Sequence, residues 1–244
     1  MRIAFLSDIH ANREAFEACL AATRDVDRIV ILGDIVGYGA DPGWCTDKAR
    51  EIEASGGVVI RGNHDQAAVA GGADMNPTAR IAIEWTRAML SAEQKAYLAT
   101  LPLSVTDEDR LYVHAEGSDP ARWMYVTDVE DAGAHFSGTS ARISFCGHIH
   151  LPSLYCLPQI GKVTKFVPNS DTPIPLLSQR RWLAVMGAVG QPRDGNPAAA
   201  YAVLDTVRRE IRYRRAPYDV EKAQEKIRAA GLPESLASRL ARGH

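Results

Sequence analysis

Seven side chains with oxygen or nitrogen donors stand in five short clusters: Asp8 with His10, Asp34, Asn63, His114, and His148 with His150. Mixed carboxylate, amide and imidazole donors suit borderline divalent ions such as manganese, iron, zinc or nickel, whereas magnesium prefers all-oxygen shells. No cysteine falls in any cluster, which argues against a structural zinc site. A carboxylate such as Asp34 can bridge two ions ~3.5–4 Å apart, the separation used for in-line displacement at phosphorus. His64 and Asp65 follow Asn63 directly and add an imidazole and a carboxylate. Five of the seven histidines lie in the clusters, and only His135 and His244 lie outside.

Taken singly, each motif has a plainer reading. Asn63-His64-Asp65 alone is a turn with Asp65 capping a helix, and His114 alone is a core histidine. What changes the reading is position. Each cluster follows an apolar run that reads as a buried strand: Ile3 to Leu6, Ile29 to Leu32, Val58 to Ile60, Leu111 to Val113, and Ile143 to Cys146. Ligands of open α/β sheets bind beyond the carboxyl ends of the strands, so five such clusters can meet in one pocket. An extended chain would put Asp8 and His10 on one side, and likewise His148 and His150.

The first third of the chain is a β-α-β-α-β pattern, with helices expected over 12–22 and 42–54. Ala15, Phe16, Cys19 and Leu20 stripe the first helix, and Pro42 suits the first turn of the second. Asp8 and Asp34 are 26 residues apart, Asp34 and Asn63 are 29, and each interval fits a helical crossover between parallel strands. Residues 76–101 read as two helices broken near Ser91, an N-cap with Glu93-Gln94 behind it. Ile81, Trp85 and Met89 are expected to be core. From 103 to 215 short strands alternate with turn residues, which predicts a second, mostly antiparallel sheet packed on the first. The stretch 115–141 reads as long and irregular, and 219–242 as two short helices.

The whole of 1–244 reads as a single domain. A net charge of −2 gives no electrostatic footprint for a nucleic acid polymer or an anionic membrane. Arg208, Arg209, Arg212, Arg214 and Arg215, interleaved with Ile211 and Tyr213, read as an exposed strand face. No apolar stretch approaches the ~18 residues of a transmembrane helix. Reduced core thiols are expected at Cys19, Cys45, Cys146 and Cys156, although Cys146 and Cys156 could face each other across strands. With no signal segment at the N-terminus, a cytosolic protein is expected.

Together, D-x-H, G-D, G-N-H-D, a lone H and G-H-x-H make the chain resemble the calcineurin-like metallophosphoesterases. The similarity is to the small bacterial and archaeal phosphodiesterase, or diadenosine-tetraphosphatase-like, branch. It extends to Gly37-Tyr38-Gly39, Val189 to Asp194 and Ala230 to Pro233, and so covers nearly the whole chain. The resemblance implies an α/β fold of two packed mixed sheets flanked by helices, a four-layer α-β-β-α sandwich. It implies two divalent transition-metal ions, with manganese favoured: one on Asp8, His10, Asp34 and His150, the other on Asp34, Asn63, His114 and His148. It also implies that a metal-bridging hydroxide attacks the substrate directly. His64 would then protonate the leaving oxygen or stabilise phosphoryl charge, with Asp65 orienting its ring. Two segments depart from the family pattern, Ala115-Glu116-Gly117 after His114 and Val185-Met186-Gly187-Ala188 before Val189.

The expected substrate is a small phosphodiester or dinucleoside polyphosphate, with Tyr38 as an aromatic ring that could stack on a base. Association with further copies of the chain is left open. One rival is a phosphoprotein phosphatase, but relatives of that kind carry G-D-x-V-D-R-G, and the turn from Gly33 to Gly39 here has no arginine. The other rival is a scaffold that has lost catalysis, against which stand His64 and the full ligand set. Asn12 reads as a helix cap or a phosphate contact, and Arg13 as a solvated residue. Arg122 and Trp123 have no role legible at this level.

Overall fold

Arg2–Leu6 (β1) buries Ile3 and Phe5 on one face and Ala4 and Leu6 on the other. A strand buried on both faces has to lie inside a layered structure. In the computed structural model, which describes residues 1–244, this strand is central to one of two six-stranded sheets. After it come a helix at Arg13–Ala22 (α1), a strand at Arg28–Ile31 (β2), a helix at Pro42–Ala54 (α2) and a two-residue strand at Val58–Val59 (β3). β1, β2 and β3 pair in parallel, as the crossover spacing predicts.

Three helices follow: Asn63–Ala70 (α3), Pro77–Met89 (α4) and Ala92–Thr100 (α5). The break before α5 is at Ser91, whose Oγ accepts from Gln94 N while Gln94 Oε1 accepts from Ser91 N. Next come strands Ser104–Asp107 (β4) and Arg110–Val113 (β5), a helix at Val129–Gly138 (α6), and strands Ile143–Cys146 (β6), Ser153–Pro158 (β7), Thr164–Phe166 (β8), Ile174–Pro175 (β9) and Arg180–Val185 (β10). Ala199–Asp205 (β11), Glu210–Ala216 (β12) and helices Val220–Ala229 (α7) and Glu234–Arg242 (α8) complete the chain.

The sheet orders are β3-β2-β1-β11-β12-β9 and β4-β5-β6-β10-β7-β8. Both are mixed. β11 returns to pair antiparallel with β1, so β9, β11 and β12 join the first sheet, while the other six strands after 103 build the second, three of whose five pairings are antiparallel. In the second sheet, β6 pairs in parallel with both β5 and β10.

Between the sheets, Ile3, Phe5, Val30 and Leu32 meet Tyr112, Ile143, Phe145 and Trp182, and the rings of Phe5 and Phe145 stack with centroids 3.9 Å apart. The outer face of the first sheet is covered by Phe16 and Cys19 of α1 and Ala49 and Ile52 of α2. Ala132 and Phe136 of α6 cover the second. The result is a four-layer α-β-β-α sandwich.

Several local expectations need correction. Ile81 and Met89 are half exposed, because α4 buries Ala79, Ala82, Ile83 and Thr86 instead. The 115–141 stretch holds a 3-10 turn at Pro120–Arg122 and α6, whose first turn is capped by Asp128. Cys146 and Cys156 do not face each other, since β10 runs between their strands, and all four thiols are free and buried. On β12, Ile211 and Tyr213 point into the core while the intervening Arg212 and Arg214 lie half-buried on the other face. No helix is long and apolar enough to cross a membrane.

Candidate metal centre

β1 and β6 stop at Leu6 and Cys146, before their ligands, and the ligands sit on tight turns. Asp8, His10, Asp34, His148 and His150 all have left-handed backbones, with φ between 50° and 70°. These pairs are therefore not aimed by extended chain, as their spacing suggests. Asp and His tolerate this region better than most residues, yet a left-handed backbone still costs about 1–3 kcal/mol each. The surrounding turns hold it in place. Asp8 N donates to Gly33 O at 3.1 Å, His10 N to Asp34 O at 2.9 Å, and Gly147 N to His114 O at 2.9 Å. The approach is close enough that a Cβ on Gly62 would stand 2.2 Å from Asp34 Oδ1.

Each ligand imidazole spends one nitrogen on a main-chain carbonyl. Nδ1 of His10 reaches Val36 O at 3.2 Å, Nδ1 of His114 reaches Leu32 O at 2.7 Å, Nδ1 of His150 reaches Gln191 O at 2.7 Å, and Nε2 of His148 reaches Trp123 O at 3.0 Å. A carbonyl can only accept, so those nitrogens carry the hydrogen and the opposite nitrogens present lone pairs.

The lone-pair nitrogens then face one another. His10 Nε2 is 3.0 Å from His150 Nε2, and His114 Nε2 is 3.1 Å from His148 Nδ1. Asp8 Oδ1 lies 3.4 Å from His150 Nε2, and Asn63 Oδ1 lies 3.2 Å from His114 Nε2. Asp34 Oδ2 is 3.7 Å from His10 Nε2 and 3.4 Å from His114 Nε2, so a single oxygen adjoins both groups. Its Oδ1 accepts from His64 N at 2.8 Å. Acceptors crowded against acceptors repel unless a cation lies among them. The residues fit the expected metals.

Burial, with the neighbouring imidazoles, holds the His10 pKa well below its usual value and pushes His148 down to about 3. Both rings are therefore neutral at pH 7, the form that binds metal. Burial opposes charge at His114 as well, but Asp34 and Asp8 carry its pKa up to about 9. A proton and a metal ion compete for that lone pair. Asp34 stays ionised: burial would raise its pKa, but His114, His64 and His10 hold it well below the carboxylate range.

His64 is buried, and burial first of all pushes its pKa to about 4. It lies within 4.8 Å of donors on His10 and Asp34. Its Nδ1 has no partner and packs on Gly37, where a Cβ would come within 2.4 Å. Nε2 is left as the nitrogen that can meet a substrate. Asp65 does not hydrogen-bond this ring. Its Oδ1 accepts from Ile35 N at 2.8 Å and Val36 N at 3.1 Å, and its Oδ2 from Gly62 N at 2.9 Å. It ties the Asn63 turn to the Asp34 turn, so the expected ring-orienting contact is replaced by a backbone one. Burial, then Asp34, raises its pKa to about 7.

Tyr38 is only 8% exposed and packs between the rings of His10 and His64, at 4.6 and 4.5 Å, so it offers no free face to a base. Tyr125 is the exposed aromatic, stacked on His148 at 4.3 Å, and Trp123 stands beside His114 at 5.8 Å. These two rings wall a cavity of about 510 Å³ that Asp34, Asn63, His64, His148, His150 and Arg193 also line. Asn12 caps α1 through Ala15 N and also donates to Gly190 O at 2.9 Å, and both bonds are structural. Sequence reasoning missed the carbonyls of Leu32, Val36, Trp123 and Gln191, which carry no side-chain signature.

Residues 1–209 match the calcineurin-like phosphoesterase superfamily domain. The chain is 34% identical to an uncharacterized protein of Methanocaldococcus jannaschii over 98% of its own length and 96% of that protein. A metallophosphoesterase from Sphaerobacter thermophilus is 37% identical with a TM-score of 0.90, covering 100% of this chain and 99% of that one. A hypothetical protein from Pyrococcus horikoshii shares the fold at a TM-score of 0.80 and 17% identity, over 100% and 98% of the two chains. The chain belongs to the calcineurin-like phosphoesterase superfamily, whose members are phosphoesterase hydrolases that use divalent metal ions.

Proposed function

We propose that the chain hydrolyses a small phosphodiester or dinucleoside polyphosphate at a centre of two transition-metal ions. One observation carries this: two pairs of imidazole lone pairs, His10 with His150 and His114 with His148, close on the shared carboxylate of Asp34. Asp8, His10, Asp34 and His150 would hold one ion, and Asp34, Asn63, His114 and His148 the other. The mixed nitrogen and oxygen donors favour manganese, with iron, zinc or nickel as alternatives. When bound, the ions supply Lewis acidity, polarising phosphoryl oxygens and lowering the pKa of water.

The chain's own residues do the rest. Asp34 accepts from the His64 backbone N–H, so its carboxylate is tied to the turn that carries His64. His64 is neutral when no substrate charge faces it, and its Nε2–H serves the phosphoryl or leaving oxygen as a hydrogen-bond donor. The phosphate's negative charge raises its pKa toward that of a proton donor. Trp123 and Tyr125 give a base or aryl group a wall to lie against, the role the sequence suggests for Tyr38. The lack of arginine in the turn from Gly33 to Gly39 supports a diester or anhydride over a phosphoprotein, and the net charge of −2 supports a small molecule over a nucleic acid polymer.

The test is a substrate panel with added manganese: bis-p-nitrophenyl phosphate, diadenosine tetraphosphate and phosphopeptides. The first two should be cleaved fastest. Phosphopeptides cleaved far faster than both would overturn the substrate choice and leave the metal centre standing.

A further inference from the structure

Arg193 is the only lysine or arginine lining the cavity at the metal centre. Its Nη2 donates to Oε1 of Gln191 at 3.0 Å, and no carboxylate pairs with it. Arg239, on α8, donates Nη1 to the same oxygen at 3.2 Å, and its Nε is buried without a partner. Both lone pairs of one amide oxygen are thus given to two guanidiniums, and nothing neutralises either. Burial and the neighbouring Arg193 together lower the Arg239 pKa. Cations held side by side with no counter-charge are unfavourable unless the place is built for an anion. Arginine matches phosphate oxygens through its planar fork of donors.

The anchoring residue shows which phosphate this is. Gln191 is 2% exposed, and its backbone oxygen accepts from Nδ1 of His150, the nitrogen opposite the one that faces His10. The residue that holds both guanidiniums is therefore anchored on a ligand ring, and Arg193 lines the cavity together with Asp34, His64 and His150. Building on the hydrolase reading above, we propose that Arg193 and Arg239 form a subsite for a second phosphoryl group of the substrate, next to the one the metals hold. The substrate class is then a compound with two or more linked phosphoryl groups, such as a nucleoside or dinucleoside polyphosphate. A simple diester leaves this subsite unused.

Calorimetric titration of the manganese-loaded protein tests this with two non-hydrolysable probes. Methylenediphosphonate has two phosphorus atoms and methylphosphonate has one. Arg193→Gln and Arg239→Gln should each weaken the diphosphonate by at least about tenfold and the monophosphonate by less than about threefold. Arg193→Lys, which keeps the charge but not the fork, should recover part of the loss and shows that the fold is intact. Equal weakening of both probes would mean the arginines grip the metal-held phosphoryl, and it overturns the proposal, as does no weakening of either. The same preparations assayed on bis-p-nitrophenyl phosphate separate the two readings. Hydrolysis without arginine-dependent diphosphonate binding sinks the subsite alone. Arginine-dependent binding with no ester hydrolysed sinks the hydrolase reading and leaves the subsite standing.

Discussion

His10 and His150 point lone pairs at each other across 3.0 Å, and each ring is locked in that tautomer by a carbonyl behind it, Val36 O for one and Gln191 O for the other. Neither ring can turn to relieve the contact without stranding an N–H in a buried site. The sandwich thus supplies the force that holds two like groups together, and a cation is what makes the arrangement favourable. On the other side of Asp34, His114 Nε2 and His148 Nδ1 stand 3.1 Å apart, and there a proton on His114 competes with a cation for the same place.

The first prediction follows from that geometry. Purified protein should carry about two transition-metal ions per chain by elemental analysis, and chelation should lower its melting temperature as well as abolish turnover. Asp34→Asn should lose metal and activity together, because the shared oxygen needs its charge. Protein that holds no metal and is not activated by manganese would rule out the two-ion centre.

A second prediction separates His64 from the ligands. His64→Ala should keep its metal content and slow turnover by about a hundredfold or more. Gly37→Ala should act in the same direction, since its Cβ would land 2.4 Å from His64 Nδ1 and its φ of 88° suits only glycine. Full activity of His64→Ala on a substrate with a poor leaving group would remove His64 from the chemistry.

The ligands were legible in sequence because each stands in a short polar cluster directly behind a run of buried strand residues. The way they are aimed was not. The left-handed backbones at Asp8, His10, Asp34, His148 and His150 depend on turn-to-turn hydrogen bonds such as Asp8 N to Gly33 O, which join residues far apart in the chain. A buried strand such as β11 shows its two apolar faces in sequence but not the neighbour it will pair with, so its return to β1 went unread. On α4, Ala79 and Ala82 take the side that packs with α7 and α8, and this rotation of the helix leaves Ile81 and Met89 half exposed. Arg239 meets Gln191 only because α8 folds back across 48 residues.

Asp65 gives the third prediction. Its carboxylate serves the buried N–H groups of Gly62, Ile35 and Val36. Asp65→Ala leaves them without an acceptor and should cost about 2–4 kcal/mol of stability. Asp65→Asn keeps one oxygen and replaces a group already raised to a pKa of about 7, so it should cost less. Urea unfolding of the two variants measures the difference. An alanine variant as stable as the parent, with only turnover affected, would return Asp65 to a purely catalytic role.

The last prediction concerns His135, the buried histidine that the metal centre does not use. Its Nδ1 accepts from Gly117 N at 3.1 Å, which leaves the hydrogen on Nε2, a buried atom with no partner. Glu116 lies 3.6 Å from Nδ1, but its carboxylate is already taken by the N–H and hydroxyl of Ser118. Burial is the dominant effect and pushes the His135 pKa from 6.5 to about 4, against the pull of Glu116. Protonation would also put a hydrogen on Nδ1 where the Gly117 N–H already points. As pH falls below 6.5 the unfolded chain takes up a proton that the folded chain refuses, so stability falls with pH through the window from 6.5 to about 4 and levels off below it. The loss across that window amounts to about 3 kcal/mol. His135→Gln removes the titrating group and keeps an amide that can accept from Gly117. Urea unfolding of chelator-treated protein at pH 7 and pH 4.5 should show the parent losing most of this amount relative to the variant. Parallel losses in the two proteins would show that His135 titrates normally and that its burial costs nothing in acid.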